Sequence, residues 1–390
     1  MSGFSNSADE VLVAGGGVIG LACAWRLARR GIPVRVLERS DSVVAEASGV
    51  AAGMLAPAGE ASFGEEHLLE AGRRSLAMWG SFATELEEDS GESPGFRRCG
   101  ALHVALDRDE AAALRRRLEH HERLDLGSEW LRPVACRALE PALSPKLAGG
   151  LHAPEEAVAD PVALAAALSA AVRELGGEIE LGADVTGAGF SDGVEVALAD
   201  GRALRGRRLV LAMGAWSGAA EWIPAEARPP VRPVKGEILT LRGSADDPVC
   251  NGIVAGELVY MVPREDGRLV VGATMEERGF DRTVTAGGVH ELLREAYRVI
   301  PEVAELEFCG AATGLRPGSP DNAPIVGPAP NLPQVILATG HHRNGVLLAP
   351  ATAETVTAIV AGDPVPESFE RFAPSRFAEA GDRAREAALR

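Results

Sequence analysis

The stretch Glu10-Val11-Leu12-Val13-Ala14-Gly15-Gly16-Gly17-Val18-Ile19-Gly20-Leu21 decides the fold. Residues 10–14 form an apolar, β-branched run that reads as a buried strand, and Gly15 ends it. Residues 21–30 read as a helix stopped by Gly31, and residues 33–37 as a second short strand ending in Glu38. The order is strand, glycine turn, helix, strand, acid.

Each residue has a physical reason to be there. Gly15 permits the tight turn out of the strand, Gly17 lets a pyrophosphate approach the backbone, and Gly20 lets the helix pack on the strand. The helix N-terminus offers free N–H groups and a partial positive charge to phosphates. Glu38 lies 23 residues beyond Gly15, close to the roughly 20 expected of a dinucleotide-binding unit. Its carboxylate suits ribose hydroxyls and disfavours a 2′-phosphate, which argues against NADP. The motif lies at the N-terminal end, as flavin anchors do, and residues 46–57 follow as a small, glycine-rich stretch. That composition suits backbone passing close to a flat ring or a phosphate.

Across 390 residues there are 56 acidic and 39 basic side chains, a net charge of −17 that disfavours a nucleic-acid-binding surface. Hydrophobic residues at 46% allow a large core, and a prior of ~150 residues per domain gives two or three domains. Cys23, Cys99, Cys136, Cys250 and Cys309 are scattered and lack a CxxC pair, so they read as free thiols in a reducing compartment. The first ten residues lack the basic head and apolar run of a signal peptide. The longest uncharged stretch, residues 11–25, is shorter than the roughly 20 apolar residues a span needs. A cytoplasmic protein with no membrane association is the expectation.

Helices are expected over residues 65–89 (one long helix or a broken pair), 108–126, 161–175 (Asp160 as N-cap, Pro161 at N1) and 288–299. Strands are expected at 98–106, 178–181, 194–198, 208–216, 231–241, 252–262, 268–273 and 334–340. The 208–216 strand ends at Gly214, a cofactor-facing geometry in a doubly wound sheet. Residues 314–327 read as turn-rich, with Arg316 between apolar neighbours. Residues 340–350 lead through a glycine-containing loop into a helix at 352–360, a second anion-friendly terminus.

These segments give an α/β (mixed α+β) fold: a Rossmann-like FAD-binding domain and an antiparallel-sheet substrate domain, intertwined in sequence. The division places residues 1–88, 148–222 and 310–365 in the FAD-binding domain. Residues 89–147 and 223–309 make the substrate domain. Residues 366–390 are a C-terminal tail, charged and a frayed helix from 376 onward.

Three stretches resemble the D-amino-acid oxidase family of flavoenzymes, and within it the glycine oxidases of thiamine biosynthesis. They are Gly15–Gly20 with Glu38, residues 51–57, and residues 314–317 paired with 340–345. Residues 234–237 and 258–264 are similar to that family too, and the resemblance covers residues 11–362.

The resemblance implies roles residue by residue. Arg316 matches the arginine that pairs with the substrate carboxylate, Tyr260 a tyrosine assisting it, and Arg343 an arginine at the flavin and substrate edge. Val18, Ile19, Glu38, Arg39, Ala47 and Ser48 match FAD-contacting positions. So do Ala52, Gly53, Met54 and Val185, and the loop His341, His342, Arg343, Asn344, Gly345, Val346 and Leu347. It also implies non-covalent FAD, oxygen as electron acceptor, a homo-oligomer such as a tetramer, and a thiazole-synthesis partner.

The chemistry needs no side-chain acid or base: a guanidinium holds a carboxylate bidentately, the α-carbon faces the flavin, and hydride passes to flavin N5 once the amine is neutral. The expected products are an imine, then a keto acid, ammonia and hydrogen peroxide. Three readings stay open: an oxidase of glycine, sarcosine or D-alanine; a D-amino-acid dehydrogenase passing electrons to a quinone; and a non-catalytic flavin subunit of an amine-oxidising complex. Tyr260 reads equally as core packing, Trp216 as core or interface packing, and His341 and His342 lack partners for a metal.

Overall fold

The structure, a computed structural model, describes residues 9–60 and 64–377. A six-stranded sheet forms one half, in the order Ile325–Ala329, Leu332–Thr339, Arg208–Leu211, Val11–Ala14, Val34–Glu38, Glu178–Leu181. All neighbours run parallel except the first pair. Val11–Ala14 lies inside the sheet and is buried along its length, which explains its unbroken apolar run. The parallel strands deliver Gly15, Arg39 and Ala212 to one edge of the sheet, and Gly340 follows the neighbouring Leu332–Thr339 strand to that same edge.

Helices Val18–Arg29, Pro161–Glu174 and Gly345–Ala361 cover one face, with Glu66–Ser90 packed on them. Trp25, Trp79 and Phe82 fill that layer, Trp25 meeting Phe82 edge-on at 4.9 Å. Asp160 caps the Pro161–Glu174 helix, its carboxylate accepting from Val162 and Ala163 amides. A three-stranded antiparallel sheet, Val185–Gly189, Val194–Leu198 and Ala203–Gly206, covers the opposite face.

The second half is an eight-stranded sheet: Glu307–Gly318, Arg232–Arg242, Arg268–Gly272, Tyr260–Pro263, Ile253–Ala255, Ala101–Ala105, Gly149–Ala153, Glu129–Leu131. Its pairs are antiparallel except Ile253–Ala255 with Ala101–Ala105. Met54–Leu55, Ala157–Val158 and Arg97–Arg98 make a small sheet of their own.

Several elements differ from the sequence reading. Residues 98–106 are broken at Gly100, whose φ of +69° interrupts the strand. Residues 252–262 are two strands around a turn. The expected turn-rich segment from 314 is instead the end of a twelve-residue strand, Glu307–Gly318, paired along its length with Arg232–Arg242. Its glycines serve close approach: a Cβ on Gly314 would strike Val50, and one on Gly318 would lie 2.9 Å from Val234. Strand pairing therefore puts Gly149–Ala153 and residues 310–318 in the eight-stranded sheet, where the sequence division put them with the FAD-binding domain. Residues 366–377 do not trail, since Phe369 and Phe372 are buried in the core beside the long helix. The remainder of the expected frayed helix lies outside the described residues.

Candidate active site

A cleft opens between the two large sheets, lined from both. At its floor Gly15 holds φ +110°, and a Cβ there would lie 2.8 Å from the Ala212 carbonyl carbon. Gly17 is open on the cleft side, with Ser48 Oγ 3.3 Å from a Cβ position. Ser48 Oγ accepts from the Val18 amide at 3.1 Å. The helices beginning at Val18 and Gly345 both start at the cleft without a side-chain cap from Gly17 or Asn344. Two helix N-termini thus face the same space, which favours a group carrying phosphates.

Glu38 is placed at this floor, but with a use the sequence did not show. One carboxylate oxygen accepts from the Gly16 amide at 2.7 Å and the other from the Ser40 amide at 2.9 Å. It therefore fixes the glycine turn, and it also lines the cleft, where its remaining lone pairs can meet ribose hydroxyls. Next to it Arg39 lies 3.9 Å above the Trp216 ring and pairs with Glu46. Trp216 lines the cleft and meets Phe280 of the other half, so of the core and interface readings it is the interface one that fits. Ala47, Ser48, Ala52, Gly53, Met54, Val185 and Gly214 also line it. Bare glycine backbone, open helix termini and an acid at the second strand's end fit FAD.

At the other end of the cleft stand Arg316 and Tyr260. Arg316 Nη1 donates to the carbonyls of Thr274 at 3.2 Å and Lys235 at 3.4 Å. Its guanidinium rests on Gly236, where a Cβ would lie 2.5 Å from both Cζ and Nη2. The Tyr260 ring likewise rests on Gly272, with Cζ and the hydroxyl 2.5 Å from a Cβ position, and its hydroxyl feels the charge of Arg316. Burial pushes that hydroxyl above its usual range, against the pull of Arg316, so it stays protonated and can donate. Beneath them Lys235 and Glu237, both fully buried, pair at 2.8 Å.

The two second-half motifs are joined by backbone: the His342 amide donates to the Pro317 carbonyl at 3.0 Å, and His341 bridges Gly318. His341 Nε2 lies 2.9 Å from Thr352 Oγ1. Burial lowers His341 to about 3 and His342 to about 4, the latter helped by Arg343 and Arg316. Both rings are neutral at physiological pH, so positive charge in the cleft comes from guanidinium groups. Arg343 is at the cleft and pairs with Glu60 at 2.8 Å.

Most expected site residues therefore meet in one cleft. Gly20 and Leu347 sit behind its wall: Gly20 packs on the Gly15 carbonyl, and the Leu347 carbonyl accepts from Ser75 Oγ and Trp79 Nε1. Glu60 and Gly272 went unmarked by sequence reasoning, and Gly236 entered only as part of the family-like stretch 234–237. Their signal is positional, a glycine or acid opposite a functional side chain, and appears only once strands are paired.

A family model described as DAO, FAD dependent oxidoreductase, matches residues 10–359. The chain belongs to that family. This FAD dependent oxidoreductase is 32% identical over 356 residues to the glycine oxidase of Geobacillus kaustophilus, covering 90% of this chain and 92% of that protein. It is 33% identical to the bifunctional protein ThiO/ThiG of Synechocystis sp. over 95% of this chain. There it spans 54% of the relative, about half the length of the two-function proteins it matches. A crystal structure of glycine oxidase from Geobacillus kaustophilus superimposes with a TM-score of 0.88 at 31% identity, covering 94% of this chain and 98% of the other. The FAD-binding and mixed-sheet architecture expected from the sequence is that of these proteins.

Proposed function

We propose that the protein is an FAD-dependent oxidase of small amino acids: glycine first, with sarcosine and D-alanine as further substrates. The observation that carries this is Arg316 resting on Gly236, with the buried Tyr260 hydroxyl within its electrostatic reach, in the cleft whose floor holds the glycine turn. Arg316 takes the substrate carboxylate as an ion pair, and Tyr260 donates a further hydrogen bond to it. Two carbonyls hold Nη1 from behind, so the guanidinium is fixed before substrate arrives.

Bound FAD supplies a two-electron acceptor for the α-hydrogen, and oxygen regenerates it with release of hydrogen peroxide. With His341 lowered to about 3, His342 to about 4 and Arg343 paired with Glu60, none of these groups is a base strong enough to hold the proton of the substrate amine, which goes to solvent. The C–N bond becomes an imine, which takes up water to give the oxo acid (glyoxylate from glycine or sarcosine) and the free amine, ammonia from a primary amino acid and methylamine from sarcosine. Similarity to the ThiO part of ThiO/ThiG proteins supports a thiazole-forming partner for the imine. A homo-oligomeric state is part of the same reading.

The test is an aerobic panel of glycine, sarcosine and D-alanine on the purified holoenzyme, with peroxide and keto acid measured. Stoichiometric peroxide supports the oxidase. Turnover only with a quinone analogue would identify a dehydrogenase, and no turnover with any acceptor a non-catalytic flavin subunit.

A further inference from the structure

Residues 274–285 form a strap tied at both ends to one buried ion pair. At its start the Glu237 amide donates to Thr274 Oγ1 at 2.9 Å, and Lys235 and Glu276 exchange backbone hydrogen bonds at 2.8 and 3.0 Å. At its end the Thr285 amide and hydroxyl both donate to Glu237 Oε1 at 3.1 Å, while Thr285 Oγ1 caps the Ala286–Val299 helix. Lys235 and Glu237 are fully buried, which is costly for charges unless both are held. Here one pair closes the base of a loop.

The middle of the strap leaves the eight-stranded sheet and reaches the cofactor side of the cleft. Phe280 packs on Trp216 with ring centroids 5.6 Å apart. Arg282 pairs with Glu46 at 3.1 Å, and Glu46 also pairs with Arg39, whose guanidinium stacks on Trp216. Arg39, Glu46 and Trp216 all line the cleft beside Glu38, whereas Phe280 and Arg282 lie outside them. Phe280 remains 44% exposed, so its position is not explained by core burial. Gly279, at φ +55°, gives the strap its turn.

We propose that this strap is a clasp for FAD: Phe280 and Arg282 hold Trp216, Glu46 and Arg39 in place against the cofactor and slow its release. The proposal rests on FAD occupying this cleft. Phe280 and Arg282 are positioning residues that act through the cleft wall and have no part in substrate binding. The strap also begins at Thr274, whose carbonyl holds Arg316, so the substrate arginine and the cofactor wall share one segment.

The experiment follows release of flavin fluorescence after dilution of the holoenzyme, giving a dissociation constant and an off-rate. Wild type, Phe280→Ala, Arg282→Ala, the double variant and Arg278→Ala are compared. Arg278 is the control, since it pairs with Glu276 within the strap. Loss of an aromatic pair and an exposed ion pair predicts roughly tenfold weaker FAD retention in the double variant. Arg278→Ala should match wild type, and KM for glycine at saturating FAD should be unchanged in all. Unchanged FAD release in the double variant would overturn the clasp. Equal weakening in Arg278→Ala with a lower Tm would overturn it too, by showing a merely structural strap. A wild-type protein that binds no FAD would instead sink the cofactor reading.

Discussion

The guanidinium of Arg316 lies flat on the bare Cα of Gly236, on the strand paired with its own. With Nη1 committed to two carbonyls, this contact fixes the plane of the group that meets the substrate. A side chain at 236 would occupy the space that the guanidinium now fills.

Gly236→Ala should therefore displace Arg316 while leaving the cofactor end intact. The expected result is a rise in KM for glycine of roughly tenfold or more, the cost of a misplaced charged contact. The flavin absorption spectrum should be unaltered. Steady-state kinetics with FAD content measured on the same sample decides it, and an unchanged KM would contradict the shelf.

Glu38→Ala removes both the tie to the glycine turn and the ribose-facing oxygens. Loss of charge-assisted hydrogen bonds predicts about tenfold or greater weakening of FAD binding. Glu38→Gln retains one acceptor and should fall between. A fully yellow Glu38→Ala protein after extensive dialysis would contradict the assignment.

The pH dependence of kcat/KM should follow the substrate. Because burial keeps His341 and His342 neutral above about pH 5, neither supplies an acid limb in the physiological range. The limb should instead move with the amine pKa when the substrate is changed, and persist in His342→Gln. A limb that stays fixed across substrates and vanishes in that variant would show a titrating histidine.

A second pH effect concerns stability. Burial, against the Gly59 amide and Arg117, raises the Glu156 carboxyl from 4.5 to about 8. The fold thus prefers the protonated acid. Its contribution is complete below 4.5 and is lost as pH rises to about 8. Glu156→Gln should lose less Tm than wild type between about pH 5 and about pH 9. Parallel Tm curves for the two proteins would refute this.

The sequence was most legible where one local rule acts. The Val11–Ala14 strand, the glycine turn, Glu38 and the Asp160 cap each announce themselves through patterns a few residues long. The Glu307–Gly318 strand did not, because glycine and proline at 314, 317 and 318 read as turns when seen alone. They make sense only beside Val50 and Val234, which come from other strands and loops. Trp216 was left between core and interface packing for the same reason: its partners Arg39 and Phe280 are distant in the chain. The Lys235–Glu237 pair defeats hydrophobic patterning outright, since buried charges look like surface residues.

The account's central claim is that Arg316 anchors the acid group of an amino acid. The most direct measurement is KM for glycine in Arg316→Ala, with Arg316→Lys alongside and FAD occupancy confirmed by absorbance. Losing a partly buried charged partner of this kind predicts roughly a hundredfold rise in KM for Ala, with a partial rise for Lys. An Arg316→Ala enzyme that is fully loaded with FAD and binds glycine as wild type does would contradict it.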